Sequence, residues 1–372
     1  MKIKIKRDSF QKAFQIASAV APSRSPKAIL QNVKLDVSKE ETILTATDIE
    51  IGVRLNVADV TVESPGSAVI PVNRLSMILR ESSDDYLVIE ADGEGILITG
   101  NNSRFELSAQ NPEEFPEVAG FVESDYFEVA AGVLKEMIHR TLFATDAESS
   151  RYALGGVLLE MTDSTMIAVG TDGRRLAKME GAITKVGNPV VDGTATIVPS
   201  RAMQLMERSL PEDDTLVQLA PRANDLLLKD PNGVFYTRLV EGRFPKWRDV
   251  LPKRQESNRI DIPVGPMYSA LRQAAIVSNE ESRGVDFTFG NGSLVLSTNT
   301  AEVGQSRVEM PVPFNEDELT ITLDHRYVAD FLKALQPDKT FTMDIENGEQ
   351  AAYCMTDDNY GYVIMPLSKE RR

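Results

Sequence analysis

The sequence predicts an α+β protein made of three similar domains, each with antiparallel sheets and a small number of helices. The first observation is internal similarity, because residues 29–55, 153–179 and 282–308 read nearly alike. The motif Thr47-Asp48 returns 124 residues later as Thr171-Asp172, and after a further 127 residues as Thr298-Asn299. This spacing is too long for solenoid repeats, whose short units cannot fold alone. Each copy is therefore expected to be a whole domain.

The similarity continues beyond these segments and sets the predicted domain limits. Pro71 corresponds to Pro199, each opening an amphipathic segment, and the pair Phe115-Pro116 corresponds to Phe244-Pro245. Proline-containing, charged stretches at 111–124 and 251–260 are typical of linkers. We expect domains at 1–122, 123–255 and 256–372.

Strands are predicted from alternation and from turn chemistry. Residues 34–37 and 42–47 alternate between apolar and polar side chains, as half-buried strands do. The turn sequences Asp92-Gly93, Pro231-Asn232-Gly233 and Asn291-Gly292 each indicate a β-hairpin. Many strands separated by turns and few helices favour an α+β architecture over a parallel one.

Six segments have the apolar spacing of amphipathic helices, and they carry an unusual charge. In a chain of net charge −16, these segments hold ten basic residues against six acidic ones. Asp8 and Asp324 are predicted to be helix N-caps. Basic helices on an acidic body suggest a surface for a polyanion, although the total charge alone would repel phosphate. The predicted helices are residues 8–20, 73–82, 132–143, 200–209, 265–278 and 324–336.

Composition argues against several other classes of protein. A single cysteine, Cys354, rules out a disulfide framework, and no targeting segment or long apolar run is evident, so a soluble cytoplasmic protein is expected. His139 and His325 fall on separate predicted helices without metal-ligand spacing. Adjacent carboxylates such as Asp84-Asp85 fall in predicted loops. We therefore predict no metal, no cofactor and no catalytic site.

Six motifs, taken in order along the whole chain, resemble the bacterial DNA polymerase III beta subunit, the replicative sliding clamp family. Any one of them is common, but the ordered set is specific. They are TATDIEI at 45–51, RYALGG at 151–156, GTDGRRLA at 170–177, GRFPKWRDVLP at 242–252, SNEESRGV at 278–285 and YVIMPL at 362–367.

The resemblance implies a ring-shaped head-to-tail homodimer with three clamp domains per chain. Sheets would lie outside, and helices would line a central hole that encircles duplex DNA without reading its sequence. The protein would be a non-catalytic processivity factor, cytoplasmic and nucleoid-associated, with no membrane partner. Its implied partners are double-stranded DNA, the DNA polymerase III catalytic subunit, the clamp loader, and other polymerases and repair proteins that dock through short linear motifs.

The resemblance also implies three sets of functional residues. The DNA-binding candidates are Arg24, Arg74, Tyr152 and Arg201. The dimer-interface candidates are Phe105, Leu107, Ile276 and Val277. The pocket that would accept partner peptides comprises Arg151, Leu154, Thr171, Gly173, Arg175, Leu176, Pro245, Val250, Tyr327, Val363, Met365, Pro366 and Leu367.

Two other functions stay open on sequence alone. The chain could be a peptide-binding scaffold that never encircles DNA, or a carboxylate hydrolase whose triplication is incidental. Retention on circular but not linear DNA would separate the clamp from the scaffold. Turnover that depends on one Asp or Glu would identify the hydrolase.

Overall fold

A computed structural model describes residues 1–146, 148, 153–189, 195–252, 257–278, 283–300 and 303–367. All six predicted helices are confirmed in this part of the chain. None of the described helices is long and apolar enough to cross a bilayer. The helices are α1 (Arg7–Val20), α2 (Val72–Glu81), α3 (Ala131–Leu142), α4 (Ser200–Ser209), α5 (Val264–Ala274) and α6 (His325–Lys333).

Each helix follows a strand directly, without a loop between them. Of the two predicted N-caps, Asp324 is confirmed and Asp8 is wrong. Asp324 caps α6, since its carboxylate accepts a hydrogen bond of 2.9 Å from the Arg326 amide. Asp8 is not a cap, because α1 begins at Arg7 immediately after a strand and its N-cap is Lys6. The Asp8 carboxylate instead pairs with the Arg7 guanidinium at 3.0 Å.

The chain divides into two compact units. The first unit comprises Met1–Gly132 and Ile183–Leu239, and the second comprises Val133–Ala182 and Val240–Arg372. The first segment of the second unit, Val133–Ala182, begins and ends inside the second repeat. The domain limits at 1–122, 123–255 and 256–372 therefore remain predictions.

The first unit contains two antiparallel sheets. One has the order β5-β1-β7-β8-β9, and the other has the order β14-β10-β16-β17-β18-β4-β3-β2-β6. The strands of the five-stranded sheet are β1 (Lys2–Lys6), β5 (Val60–Ser64), β7 (Tyr86–Ala91), β8 (Gly95–Thr99) and β9 (Arg104–Ser108). Those of the nine-stranded sheet are β2 (Asn32–Val37), β3 (Thr42–Thr47), β4 (Ile51–Asn56), β6 (Gly66–Pro71), β10 (Tyr126–Ala130), β14 (Thr184–Val186), β16 (Leu216–Pro221), β17 (Asp225–Asp230) and β18 (Gly233–Arg238). The short strand β15 (Thr196–Pro199) leads into α4.

The second unit contributes seven strands to one antiparallel sheet, in the order β11-β12-β13-β26-β25-β24-β19, and forms a four-stranded sheet ordered β22-β21-β20-β23. The seven strands are β11 (Gly156–Met161), β12 (Thr165–Thr171), β13 (Arg175–Ala182), β19 (Asn258–Pro263), β24 (Thr340–Ile345), β25 (Ala352–Met355) and β26 (Tyr360–Ile364). The other four are β20 (Gly284–Gly290), β21 (Ser293–Thr300), β22 (Gly304–Pro311) and β23 (Leu319–Asp324).

The repeats are joined by strand pairing in an equivalent way at two places. Strand β4 of the first repeat pairs with β18 of the second, with Val53 opposite Phe235. Strand β13 of the second repeat pairs with β26 of the third, with Leu176 opposite Val363. Because these two sheets each combine strands of two repeats, the compact units do not coincide with single repeats.

The predicted hairpins are confirmed, and their turn residues have the backbone that such turns require. Asn291 and Gly292 have φ angles of 54° and 76° between β20 and β21. Positive φ at both central residues is the geometry whose twist matches that of the flanking strands. Gly93, between β7 and β8, also has a positive φ of 95°.

The helices supply apolar faces to these sheets. Phe10, Phe14 and Ala17 of α1 are buried, and Val328, Phe331 and Leu332 of α6 are buried in the second unit. Phe331 stacks on Tyr362 of β26 with ring centroids 5.1 Å apart. The spacing of these residues is the helical periodicity from which the sequence predicted the two helices.

Candidate functional site

An open, largely apolar cavity of about 900 Å³ lies in the second unit. Its floor is formed by buried side chains, among them Leu154, Leu176 and Val363. At its mouth, Val250 and Met365 remain 44% and 45% exposed. Apolar side chains left exposed around a concave surface are typical of a docking site.

A short turn between β12 and β13 shapes one side of the cavity. The Thr171 hydroxyl donates to the Arg175 carbonyl at 2.6 Å, and the Asp172 carboxylate accepts from the amides of Arg174 and Arg175 at 2.8 and 3.0 Å. Gly173 has a φ of 85°, where a side chain would be strained. The Thr-Asp-Gly sequence thus fixes the turn and leaves this part of the cavity free of a side chain.

The paired strands β13 and β26 form the wall beside this turn. Their register places Arg175 opposite Ile364, and the Met365 amide extends the pairing by donating to the Arg174 carbonyl at 3.0 Å. Met365 is therefore held by its backbone while its side chain stays exposed at the mouth.

Arg175 is the central polar residue of the site. Its guanidinium donates to Asp172 at 3.0 Å, to Asp330 at 2.8 Å and to the Phe143 carbonyl at 2.7 Å. It also lies over the Tyr327 ring, 4.4 Å from the centroid. With its donors engaged, the Arg175 charge is neutralised within the protein, so Arg175 acts mainly as a rigid wall.

A short 3-10 helix, Trp247–Asp249, closes the opposite side. The Trp247 indole donates to Glu160 at 3.1 Å, and Arg248 binds the same carboxylate at 2.5 and 3.0 Å. Burial alone would raise the pKa of Glu160, but the hydrogen bonds from Arg248 and Trp247 outweigh it and lower the pKa below its ordinary value. Glu160 therefore stays ionised and anchors the Trp247 wall.

The structure brings nine of the predicted pocket residues together around this cavity. Tyr327 instead lines a neighbouring, more polar cavity of about 590 Å³, which shares Arg175 with the first. Pro366 and Leu367 line neither; the Leu367 amide donates to the Thr322 carbonyl at 2.9 Å. Arg151 lies outside the described residues. The nine are Leu154, Thr171, Gly173, Arg175, Leu176, Pro245, Val250, Val363 and Met365.

Five lining residues were missed by the sequence prediction: Arg174, Arg243, Phe244, Lys246 and Trp247. Four of them belong to the segment GRFPKWRDV, in which the prediction named only Pro245 and Val250. The segment is irregular around its 3-10 turn, so neither a helical nor a strand period indicates which of its side chains face the cavity.

The DNA-binding candidates differ in the exposure and the ion pairing of their side chains. Arg24 and Arg74 are exposed. Arg201 is half-exposed, but it forms an ion pair with Asp48 and donates to the Val20 carbonyl at 3.1 Å. Tyr152 lies outside the described residues.

The charge argument from the helices also needs one correction. Arg140 of α3 is 8% exposed and bound to Glu136 and Asp358 at 2.5 and 2.6 Å. The Tyr360 hydroxyl donates to the Arg140 carbonyl at 2.9 Å in the same cluster. Arg140 is thus a structural cation rather than part of a basic surface.

The dimer-interface candidates lie on two open edges. Phe105 and Leu107 are half-buried on one face of β9, the last strand of its sheet. Ile276 and Val277 belong to the short helix Ala275–Val277 that follows α5, and Ile276 is 75% exposed. The last residue of α5, just before that short helix, is bonded to β22, also the last strand of its sheet: the Ser306 hydroxyl donates to the Ala274 carbonyl at 2.6 Å.

Among the described residues, no group of three or more His, Cys, Asp or Glu side chains could hold a metal ion. Cys354 is buried, and burial raises the pKa of its thiol far above the ordinary value. Repeated helix-and-sheet domains joined edge to edge, with an open apolar cavity at one junction, define a modular clamp-type binding protein.

Comparison with known proteins gives the particular family. The chain belongs to the DNA polymerase III beta subunit family: residues 1–119, 128–246 and 248–368 match its N-terminal, central and C-terminal domains. The beta sliding clamp of Chlamydia muridarum is 30% identical over 368 residues, covering 99% of both chains. That of Escherichia coli is 27% identical over 376 residues, covering 99% of this chain and all of the relative.

Solved structures agree with this assignment. The DNA polymerase III beta subunit of Pseudomonas aeruginosa is 28% identical and superposes with a TM-score of 0.90, covering 99% of this chain and 100% of that one. The sliding clamp of Bacillus subtilis superposes with a TM-score of 0.91 at 22% identity, which supports the shared fold alone. The three clamp domains predicted from the repeats are confirmed by these matches.

Proposed function

We propose that this protein is a DNA sliding clamp, a non-catalytic processivity factor that holds a DNA polymerase on its template. The observation that carries the proposal is the full-length match to proteins named beta sliding clamp, with all three family domains present in order. The apolar cavity supports it, since a clamp needs a place where its partners dock.

The cavity suits weak, exchangeable docking of a short peptide. Each large apolar side chain that enters it should contribute about 1.5–3 kcal/mol, before the cost of ordering the peptide. Two such anchors, for example Leu and Phe, supply about 3–6 kcal/mol, which is less than the roughly 8 kcal/mol of a 1 μM complex, so the dissociation constant of the peptide should exceed 1 μM. Affinity in this range lets the polymerase catalytic subunit, the clamp loader, other polymerases and repair proteins exchange at one site.

Strand pairing within the chain supports a head-to-tail dimer. Strand β4 of the first repeat pairs with β18, the last strand of the meander β16-β17-β18. In the same way, β13 of the second repeat pairs with β26, the last strand of the meander β24-β25-β26. In the third repeat, the strand equivalent to β4 and β13 is β22. In the first repeat, the equivalent meander is β7-β8-β9, which ends in β9. Each of these two strands ends its sheet on one side. Pairing β9 of one copy with β22 of another would complete both edges.

Two such contacts between two copies close a ring, because each copy offers one edge of each kind. A ring would hold duplex DNA by enclosure rather than by affinity. Exposed helix cations such as Lys12, Arg74, Arg208 and Arg272 would tolerate the phosphate backbone without reading bases. The acidic remainder of the chain would disfavour adsorption of DNA elsewhere. Such action on DNA would bring the protein to the nucleoid.

A processivity assay with altered cavity residues tests the function. We expect the wild-type protein, with its clamp loader, to lengthen the products of the polymerase III catalytic subunit on a primed circular template. Replacing the exposed mouth residues, Val250→Ser with Met365→Ser, removes apolar contact area without disturbing the buried floor. Each loss should weaken partner docking by about 1 kcal/mol, so products should shorten markedly.

Val122→Ser is the matched control, because Val122 is apolar and 88% exposed but belongs to the first unit and not to the cavity. It should leave product length unchanged. Products of wild-type length from the double variant would refute the docking role of the cavity, and no stimulation by the wild-type protein would refute the clamp function.

A further inference from the structure

The docking cavity has a charge that differs from the rest of the molecule. Although acidic residues outnumber basic ones 56 to 40 in the chain, the cavity lining includes four basic side chains and, among the described residues, no acidic one. The four are Arg174, Arg175, Arg243 and Lys246. The excess of basic residues around this apolar cavity is therefore opposite to the charge of the whole chain.

Two acidic residues beside the cavity, Asp172 and Glu160, are already engaged in contacts within the protein. Asp172 is bound by Arg175 at 3.0 Å and accepts from two backbone amides. Glu160 is bound by Arg248 at 2.5 Å and by the Trp247 indole. These carboxylates cannot also neutralise the rim without losing contacts that hold the walls in place.

Three cations of the rim are thus left facing solvent beside apolar surface. The side chains of Arg174, Arg243 and Lys246 are exposed, and none is within ion-pair distance of a carboxylate in the described part of the chain. Arg174 borders the turn at Gly173, whereas Arg243 and Lys246 flank Phe244 and Pro245. Cations therefore border the cavity on two sides.

We propose that the cavity selects peptides in which carboxylates flank the apolar anchors, with Arg174, Arg243 and Lys246 as the residues that determine this specificity. The inference rests on the proposed function and names the chemistry of the docked segment. Charges at the rim of an interface chiefly set partner choice and association rate, and like charges placed opposite each other are penalised. Basic segments would be rejected by the same side chains.

Synthetic peptides test the inference without altering the protein. Three peptides share one Leu and Phe anchor and differ only in the flanking residues, which are Glu, Gln or Lys; their dissociation constants are measured by fluorescence anisotropy. With each exposed ion pair contributing little, we expect the Glu peptide to bind about three- to tenfold more tightly than the Gln peptide. The Lys peptide should bind more weakly than both.

Variants then assign the effect to the rim. Arg243→Gln with Lys246→Gln should remove most of the preference for Glu over Gln, measured as the ratio of the two dissociation constants on the same variant, because a general weakening of the cavity would leave that ratio unchanged. Lys27→Gln with Lys39→Gln removes two exposed cations of the first unit and should change nothing. Raising salt should weaken the Glu peptide selectively for the wild-type protein.

The outcomes separate the two proposals. Equal affinity for the Glu and Gln peptides, or a preference that survives in the rim variant, overturns the inference while the docking site stands. Displacement of the Glu peptide by a single-stranded oligonucleotide of equal charge assigns the cations to nucleic acid and overturns it as well. Failure of every peptide to bind refutes the docking site itself.

Discussion

The turn that borders the docking cavity has a counterpart in the first repeat that lacks its glycine. In that turn the Thr47 hydroxyl donates to the Ile51 carbonyl at 2.8 Å, and the Asp48 carboxylate accepts from the Glu50 and Ile51 amides at 3.0 and 2.7 Å. Ile49 has the same φ of 85° as Gly173. A β-branched residue is strained in this region, so the first repeat maintains a conformation that its side chain opposes.

Two substitutions at Ile49 measure this strain. Ile49→Gly and Ile49→Ala both remove the side chain, which is 42% exposed, but only glycine relaxes at positive φ. We expect the glycine variant to be more stable than the alanine variant by about 1 kcal/mol. Urea unfolding gives both free energies; alanine equal to or better than glycine would contradict the strain at this turn.

A second residue-scale prediction concerns His325, the first residue of α6. Its Nε2 lies 3.1 Å from the Ser278 hydroxyl. Burial lowers the pKa of His325 below 6.5; Asp324 opposes this, and Arg326 and Arg283 reinforce it. The unfolded chain therefore takes up the proton at a higher pH than the folded protein. The stability that neutral His325 provides is complete above pH 6.5 and falls as the pH drops toward the lowered pKa.

The melting temperature should show this dependence. Between pH 8 and pH 5 we expect the wild-type Tm to fall more steeply below pH 6.5 than that of His325→Gln, which has no such group to titrate. His139→Gln is the matched control, because it removes the other histidine of the chain. Parallel curves for the wild type and His325→Gln would exclude the effect.

At the scale of elements, the open edges β9 and β22 carry the proposed dimer. Replacing Phe105 and Leu107 of β9 by alanine removes the half-buried face of that edge. We therefore expect the variant dimer to dissociate at a higher protein concentration than the wild-type dimer. Val60 and Val62 of β5 form a comparable half-buried pair on the opposite edge of the same sheet, and their replacement by alanine is the control.

Light scattering after gel filtration measures the result. A wild-type mass near twice 41.0 kDa and a concentration-dependent shift toward the monomer in the β9 variant are expected. An unchanged dimer in the β9 variant, or equal loosening by the β5 variant, would refute the assigned edge.

Elements also show how much could be predicted from the sequence. Amphipathic periodicity located all six helices, because one buried stripe per helix is a local signal. It did not locate their ends: α6 stops at Lys333, three residues before the predicted end, and α1 begins at Arg7 because strand β1 continues directly into it. Lys246 and Trp247 escaped the site prediction because their approach to Leu154 depends on contacts distant in sequence.

Charges were the least predictable part, because the partner of a cation depends on the fold. Arg140 is bound to Asp358, which lies 218 residues away, and Arg201 to Asp48, which lies 153 residues away. A count of basic residues on helices treats both as available for phosphate. Their ion pairs reduce the basic surface to fewer side chains than the sequence indicated.

For the whole molecule, enclosure explains how a chain with a total charge of −16 can act on DNA. An anion that bound DNA by surface attraction alone would need a concentrated basic patch and would lose DNA as salt rises. A closed ring needs neither, since release requires an opening of the ring or an end of the DNA. Topology, rather than affinity, is the central claim.

Retention on circular and linear DNA tests that claim most directly. The protein is loaded by its clamp loader onto a nicked circular plasmid, separated from free protein at high salt, and followed before and after a single restriction cut. We predict that it stays on the circle and is lost rapidly once the DNA has ends. Equal loss from the circular and the cut plasmid would contradict the account.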